Sequence, residues 1–334
     1  MRAMTGERCA LVADVGATKT QFALARLEGG APRLAFVRRF EDRAYASFEA
    51  ALAAYLAEAR AALGTLALER ACFAAAGPVA ERQVRLTNRD WVLDADALRA
   101  QVAAPVALEN DFACAARGVE WLGAGDLVVL QPGEPVAAAP RVVIGAGTGL
   151  GVAYLAPSAC GWIVIAGEGG HIGFAPQTEA QAALWRWLRA ARARVACEDV
   201  LSGPGLAAIY AFLLGRPPGE RGPQAPAVEQ AAEAGEPAAV RALELFCEIY
   251  GQVAGDHALA VLARGGVYVA GGIARRIVAR LRAGGFLRAF GDKGVHAAIA
   301  RRMPVYVVTN EQLELLGAAA IALDLRQRPV KESG

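Results

Sequence analysis

A chain of 334 residues with 55% hydrophobic and 20% charged side chains is long enough for two domains and apolar enough to bury a large core, which excludes a disordered polymer. Its 35 basic and 33 acidic residues leave a formal charge of +2, so no field draws it to nucleic acid or an anionic membrane, and the densest basic pairs, Arg275-Arg276 and Arg301-Arg302, read as solvated helix ends. Its six cysteines (Cys9, Cys72, Cys114, Cys160, Cys197 and Cys247) are scattered without a Cys-x-x-Cys pair, which leaves no zinc-ribbon or redox motif, and no apolar run is long and charge-free enough to span a bilayer.

The opening MRAMTGER lacks the layout of a signal peptide. A cytosolic protein with reduced thiols is therefore expected, most of its cysteines serving as small core residues. CALVADV at 9–15 predicts a buried strand; the turn Gly16-Ala17-Thr18-Lys19-Thr20 follows, and QFALARL predicts a second strand. Residues 47–63 have helical spacing. ACFAAAG at 71–77 predicts a short strand, and PVALENDF at 105–112 a strand whose polar end runs into the helix ACAARGVEWL.

A second strand–glycine–strand unit, RVVIGAGTGLGVAYLA, occupies 141–156. Laid over the first without gaps, it sets Gly147 on Gly16 and Leu155 on Leu24, a faint internal repeat that suggests two similar halves. The Pro-, Gly-, Glu- and Ala-rich segment 216–237 predicts a surface loop. Residues 238–263 predict a long amphipathic helix, GGVYVAGGI at 265–273 a strand closed by glycines, MPVYVV at 303–308 a last strand, and 313–325 a terminal helix. Strands alternating with helices argue for an α/β fold.

Several residues are suited to chemistry. Phosphates need donors close to the main chain, and glycine lets the backbone approach and adopt positive φ. The two glycine turns supply this, with hydroxyls from Thr18, Thr20 and Thr148 and a charge from Lys19; the alternative is a tight hairpin that binds nothing. Neither turn follows the dinucleotide fingerprint, and no GK[ST] P-loop exists. Asp14, ending an apolar strand beside such a turn, either meets magnesium or its water shell or caps its own turn. Asn110-Asp111 closes a strand, where α/β proteins place ligands. Asp111 there can take a proton from an attacking hydroxyl while Asn110 orients it, and both residues also suit a helix N-cap.

Glu168-Gly169-Gly170-His171 reads as a flexible, close-packed polar loop able to take sugar hydroxyls, with a satisfied core histidine as the other reading of His171. Glu198-Asp199 precedes the glycine-rich Leu201–Gly205 stretch and reads as a ligand carboxylate or an ordinary cap. Gly271-Gly272 suits a flat adenine or ribose on bare backbone, or a plain strand-to-helix turn. His257, on a helix face, and His296, at an Ala-rich helix start, read as structural.

Taken in order, LVADVGATKTQFALA, FAAAGPV, LTNRDW, NDF, GAGTGLGV, GEGGHIGFAP, EDVLSGPGL, VYVAGGIA, and MPVYVV followed by LLGAA resemble the bacterial glucokinase family of the actin-like (ribonuclease H-like) sugar kinase superfamily, over residues 11 to 320. The resemblance implies two α/β domains, a smaller one of 1–121 plus 312–334 and a larger one of 122–311, with ATP and glucose in an interdomain cleft. It implies transfer of the γ-phosphoryl group of ATP to the 6-hydroxyl of glucose. Asp111 would be the general base; Asn110, Glu168, His171 and Glu198 would hold the sugar. Asp14 would act on Mg2+ through water. Gly16, Ala17, Thr18, Lys19, Gly147, Thr148 and Gly149 would hold phosphates, and Gly271-Gly272 would flank adenosine. A homodimer, common in the family, is carried over, with no nucleic acid and no membrane as partner.

The first turn reads GATK where the family usually has GGTN, and HIGFAP replaces HVDFAP, removing a carboxylate at Gly173. The cysteine-rich zinc loop of related ROK kinases is absent after His171, which argues against bound zinc, and only about eight residues precede the first strand, too few for the DNA-binding domain of ROK repressors. Positioning can supply roughly 7–11 kcal/mol of a barrier against about 10²- to 10⁴-fold from a general base, so domain closure is expected to outweigh the basicity of Asp111. Rival readings are a kinase of mannose, fructose or glucosamine; a glycoside hydrolase using Asp111, Glu168 or Glu198, which leaves the glycine turns unexplained; and a non-catalytic ATP/sugar sensor.

Overall fold

The computed structural model describes residues 8–86, 89–159, 161–220 and 222–324. Thr87 and Asn88 of the LTNRDW segment, Cys160, and the end of the expected terminal helix at 325 lie outside the described residues. The chain forms two compact units. One comprises the described residues of Met1–Gly123, Ser158–Ala166 and Asn310–Pro329, the other those of Ala124–Pro157 and Gly167–Thr309.

The first sheet uses β1 (Arg8–Val15), β2 (Lys19–Glu28), β3 (Ala31–Glu41), β4 (Ala67–Ala75) and, after the small antiparallel sheet of β5 (Val79–Ala80), β6 (Gln83–Arg85) and β7 (Val92–Asp94), the strand β8 (Val106–Asn110). Its order is β3-β2-β1-β4-β8, with β1–β4 and β4–β8 parallel and the rest antiparallel. The apolar run of β1 is buried on both faces, which explains its lack of alternation. Leu11, Ala13 and Val15 pack with Phe22, Phe48, Tyr55 and Phe73, whereas Ala10 and Val12 pack with Cys72, Cys114, Ala318 and Ala319.

Helix α1 (Phe48–Leu63) covers the first face. Ser47 caps it by accepting from the Ala50 N–H at 3.3 Å, and Gly64 ends it at φ +82°. Helix α2 (Ala95–Val102) joins the same core through Leu98 and Val102. The other face is covered by small residues of the terminal helix Leu313–Ala322, which lies against α3 (Asp111–Gly118). The two helices meet backbone to backbone. A β-carbon at 317 would collide with the Cys114 carbonyl, and one at 118 with the Leu313 carbonyl.

The second sheet orders β12 (Gly161–Gly167), β11 (Leu150–Ser158), β10 (Arg141–Ala146), β13 (Gly266–Ala270), β14 (Val305–Val308) and β9 (Leu127–Gln131). β10–β11 is antiparallel, β10–β13 and β13–β14 are parallel, and β9 is antiparallel on β14. Leaving out β9, the order is that of the first sheet. The faint sequence repeat is thus a repeat of topology, with Val15↔Thr20 closing one hairpin and Ala146↔Leu150 the other.

Helices α4 (Glu179–Arg189), α5 (Gly203–Leu213), α6 (Ala225–Glu233), α7 (Pro237–Val261) and α8 (Gly271–Arg276) complete the main frame of this unit. α6 corrects the expected loop at 216–237. Proline is tolerated in a first helical turn, Val228 and Ala232 are buried, and Glu229 receives a bidentate pair from Arg276 at 2.6 and 2.8 Å. α7 supplies the buried Tyr250, whose hydroxyl accepts the Ala146 N–H at 3.1 Å and ties the end of β10 to the core. Five cysteines, Cys9, Cys72, Cys114, Cys197 and Cys247, are free and buried. Among the described residues no helix is long and apolar enough to cross a membrane.

Glycine inside a helix ordinarily costs about 1 kcal/mol relative to alanine. At the crossing of α3 and the terminal helix the balance reverses, because a methyl group would force two backbones apart. Gly317→Ala is expected to destabilise the first unit by about 3 kcal/mol. Chemical denaturation followed by circular dichroism should show an earlier transition, and an unchanged or later one would remove the crossing from the stability argument.

Candidate active site

In the first unit the expected residues gather at the carboxyl ends of parallel strands. Asp14 on β1 lies opposite Ala74 on β4, which lies opposite Glu109 on β8; one step on, Val15, Ala75 and Asn110 form the next row. Asp14 and Asn110-Asp111 therefore flank the end of β4 on one sheet edge, the usual ligand edge of α/β sheets. Asn110 is the N-cap of α3. Its Oδ1 accepts from the N–H groups of Phe112 (3.0 Å) and Ala113 (3.1 Å), and its Nδ2 donates to the Gly77 carbonyl (3.4 Å). Asp111, half-buried, opens the helix with Oδ1 accepting from the Phe112 N–H at 2.9 Å, where a carboxylate favours the helix dipole.

The turn after β1 is closed by Gly16 N–H donating to the Lys19 carbonyl at 3.0 Å. Thr18 and Lys19 are exposed and Ala17 half-buried; the Lys19 ammonium lies 3.0 Å from Glu41. Thr20 departs from its expected role, because its buried hydroxyl donates inward to Asp42 Oδ1 at 2.8 Å. The Asp42 N–H donates to the Thr18 carbonyl at 3.1 Å, and Arg89, stacked on Trp91, approaches Asp42 Oδ2 at 3.4 Å. Burial pushes the Asp42 carboxyl up, against the Thr20 hydroxyl and the Arg89 charge. Sequence reading missed Asp42. Its only local signal is a polar Glu-Asp-Arg run, and its partners lie far along the chain.

In the second unit the turn Gly147–Gly149 is closed by the Gly147 N–H donating to the Gly149 carbonyl at 2.8 Å, while the Gly147 carbonyl accepts from Gly203 N–H at 2.8 Å. Thr148 is exposed. Gly16, Gly147 and Gly149 do not use the left-handed backbone expected of them; at 16 and 149 the need for glycine is a matter of space, whereas a β-carbon at 147 would meet nothing. At 149 a β-carbon would collide with Glu198, whose Oε2 accepts the Leu150 N–H at 2.8 Å. Gly271 is the left-handed one, at φ +87°, and a β-carbon there would sit 2.7 Å from the Ala146 carbonyl. Gly271-Gly272 thus begins α8 beside the end of β10.

Glu168 forms a parallel bridge with Val152, and His171 N–H donates to its carbonyl at 3.0 Å, so residues 169–171 make one tight 3₁₀ turn. The side chains of Glu168 and His171 are exposed, 3.9 Å apart. The turn is not the flexible loop expected from two glycines. A β-carbon at 169 would lie 2.7 Å from Val152 Cβ and 3.0 Å from His257 Cε1, and one at 170 would collide with the Leu150 carbonyl. The 3₁₀ turn and the Glu198 segment are joined by Cys197 N–H donating to the Ile172 carbonyl at 2.8 Å and by a Gly173↔Ala196 bridge. Arg194 Nη2 donates to the His171 carbonyl at 3.3 Å and faces Gly173. His257 is buried, with Nδ1 2.7 Å from the Tyr154 hydroxyl, and burial holds its imidazole below the ordinary pKa. His296 is exposed before the short helix Ala297–Ala300.

The glucokinase family model matches residues 11–325. A glucokinase of Ralstonia nicotianae is 38% identical over 328 residues, covering 93% of this chain and 94% of its own. Among solved structures, a glucokinase from an Antarctic psychrotroph is 32% identical, with a TM-score of 0.81, 95% of this chain covered and 99% of that one. A ROK family glucokinase from Streptomyces griseus, solved with glucose and AMPPNP, is 23% identical, with a TM-score of 0.63, 95% of this chain covered and 99% of that one. It is a likeness of fold, which is that of the actin-like ATPases. The match runs over nearly the whole length, and the chain belongs to the glucokinase family.

Proposed function

We propose that the chain is a glucokinase that moves the γ-phosphoryl group of ATP onto the 6-hydroxyl of glucose. The observation that carries this reading is made within each unit: Asp14 and Asn110-Asp111 lie at neighbouring strand ends of the first, and Glu198 is hydrogen-bonded to the strand that leaves the glycine turn of the second. Family membership supports the substrate pair, since the Ralstonia relative is a glucokinase.

Phosphoryl transfer asks little covalent chemistry of a protein; it needs the acceptor oxygen in line and donors where charge spreads. Asp111, oriented by the Phe112 N–H, accepts the proton of the attacking 6-hydroxyl. Asn110 holds the same hydroxyl region, while Glu168, His171 and Glu198 take the remaining hydroxyls. Main-chain N–H groups of the 16–19 and 147–149 turns, with Thr18, Lys19 and Thr148, take the phosphates, and Gly271-Gly272 flanks the adenosine. Hydrogen bonds that sugar hydroxyls donate to a fixed carboxylate discriminate strongly, because an epimer leaves a buried polar group unpaired.

Magnesium in such sites is held by one or two carboxylates together with phosphate oxygens and water. A half-buried carboxylate at Asp14, on a strand end beside the turn, suits that donor set; among the described residues no cluster of three or more His, Cys, Asp or Glu forms a separate cage. Bound with the nucleotide, the ion neutralises charge on the transferring group.

Release of ADP in a coupled assay should require both glucose and magnesium–ATP, with mannose, fructose and glucosamine turned over less well; faster turnover of another hexose would overturn the choice of sugar. Asp111→Asn should lose about 10²-fold or more in kcat while titration calorimetry still detects glucose. Wild-type kcat in that variant would take Asp111 out of the general-base role. Gly149→Ala should displace Glu198 from the Leu150 N–H and lower kcat/KM for glucose roughly 10- to 100-fold, the worth of one charge-assisted hydrogen bond. A wild-type kcat/KM there would show that Glu198 does not need that anchor.

A further inference from the structure

We propose that His257 is a positioning residue for the 3₁₀ turn that carries Glu168 and His171, acting through the main chain of Gly169 and itself held by Tyr154. The role rests on the reading that Glu168 and His171 hold the sugar.

The turn rests on three supports. Two are stiff: the carbonyl of Leu150 under Gly170, and the β-branched stub of Val152 under Gly169. The third is the imidazole of His257, which rises from the C-terminal part of α7 and is 5% exposed. Its Cε1 lies 3.0 Å from where a β-carbon of residue 169 would be, so the ring fills the space that glycine leaves.

Nδ1 lies 2.7 Å from the Tyr154 hydroxyl, a hydrogen bond that holds the ring in place. A buried imidazole cannot flip without losing the Tyr154 hydroxyl, and that fixes the third support. Tyr154 lies on β11, two residues beyond Val152, so the same strand that supports the turn directly also orients the ring beneath it.

Glu168 and His171 flank the two supported glycines, so a shift of Gly169 moves both of their side chains together. Displacements of this size are costly where substrate hydroxyls are matched one by one. The phosphate turn has further ties of its own, to Gly203 and through Ala146 to Tyr250, so the effect of His257 should fall mainly on the sugar.

Steady-state kinetics test this with Tyr154→Phe, which deletes the hydroxyl and keeps the ring, and with His257→Leu and His257→Gln. Tyr154→Phe and His257→Leu should raise the KM for glucose about fivefold to tenfold, leaving the KM for ATP and kcat within about twofold, and His257→Gln, which keeps a polar partner for Tyr154, should recover part of the loss. Unchanged glucose KM, or equal rises in both KM values with a lowered Tm, would overturn the positioning role; should His257→Leu fail to fold, Tyr154→Phe decides. Glu168→Gln, run alongside, separates the two claims. A raised glucose KM there with none in the other variants sinks the role of His257 alone. A wild-type KM there sinks the assignment of the turn to the sugar and the positioning role with it.

Discussion

Two residues at the start of β11, Leu150 and Val152, set the tolerances of the second unit. Leu150 gives its N–H to Glu198 and turns its carbonyl against Gly170, while Val152 pairs with Glu168 and backs Gly169. Buried main-chain groups have to be partnered, and a strand paired along its length with β10 cannot slip by a fraction of a residue. Glu168, His171, Glu198 and the turn 147–149 therefore inherit one register. The contacts leave no room for a side chain at 149, 169 or 170, and a group held this way needs little reorganisation when a ligand arrives.

The two units reuse one topology for different work. With Gly16 laid on Gly147, Asp14 falls on Gly145 and Lys19 on Leu150. The first half keeps a carboxylate at the end of its central strand and a cation in its turn; the second has neither and brings its carboxylates from elsewhere, Glu168 after β12 and Glu198 before α5. A shared scaffold fixes where the turns fall, and substitutions around them fix what each turn can hold.

Much of this was legible in the sequence, because apolar runs ending in glycine or acid state both a strand and its end. Asn110-Asp111 was readable as cap and as ligand, and Asn110 is indeed the cap. The failures have physical causes. Gly169-Gly170 looked flexible because glycine signals freedom along the chain, whereas here it answers a crowding that only the folded neighbours create. Thr20 turns inward to Asp42, and nothing in the turn itself announces a carboxylate beyond the next strand. Helix α6 hid in a Pro- and Gly-rich segment, since its proline stands in the first turn where no N–H is required. Tyr154 and His257 are about a hundred residues apart, and only the packing of α7 under β11 makes them a pair.

The glycine crossing between α3 and the helix Leu313–Ala322 also bears on how the chain comes off the ribosome. The helix that covers Ala10, Val12, Cys72 and Ala74 is translated after every residue of 124–309. Vectorial synthesis therefore completes the second unit first and leaves one face of the earlier-made sheet bare until the helix arrives. That face is lined mainly by alanine and cysteine, small side chains that present little oily area to stray partners during the wait.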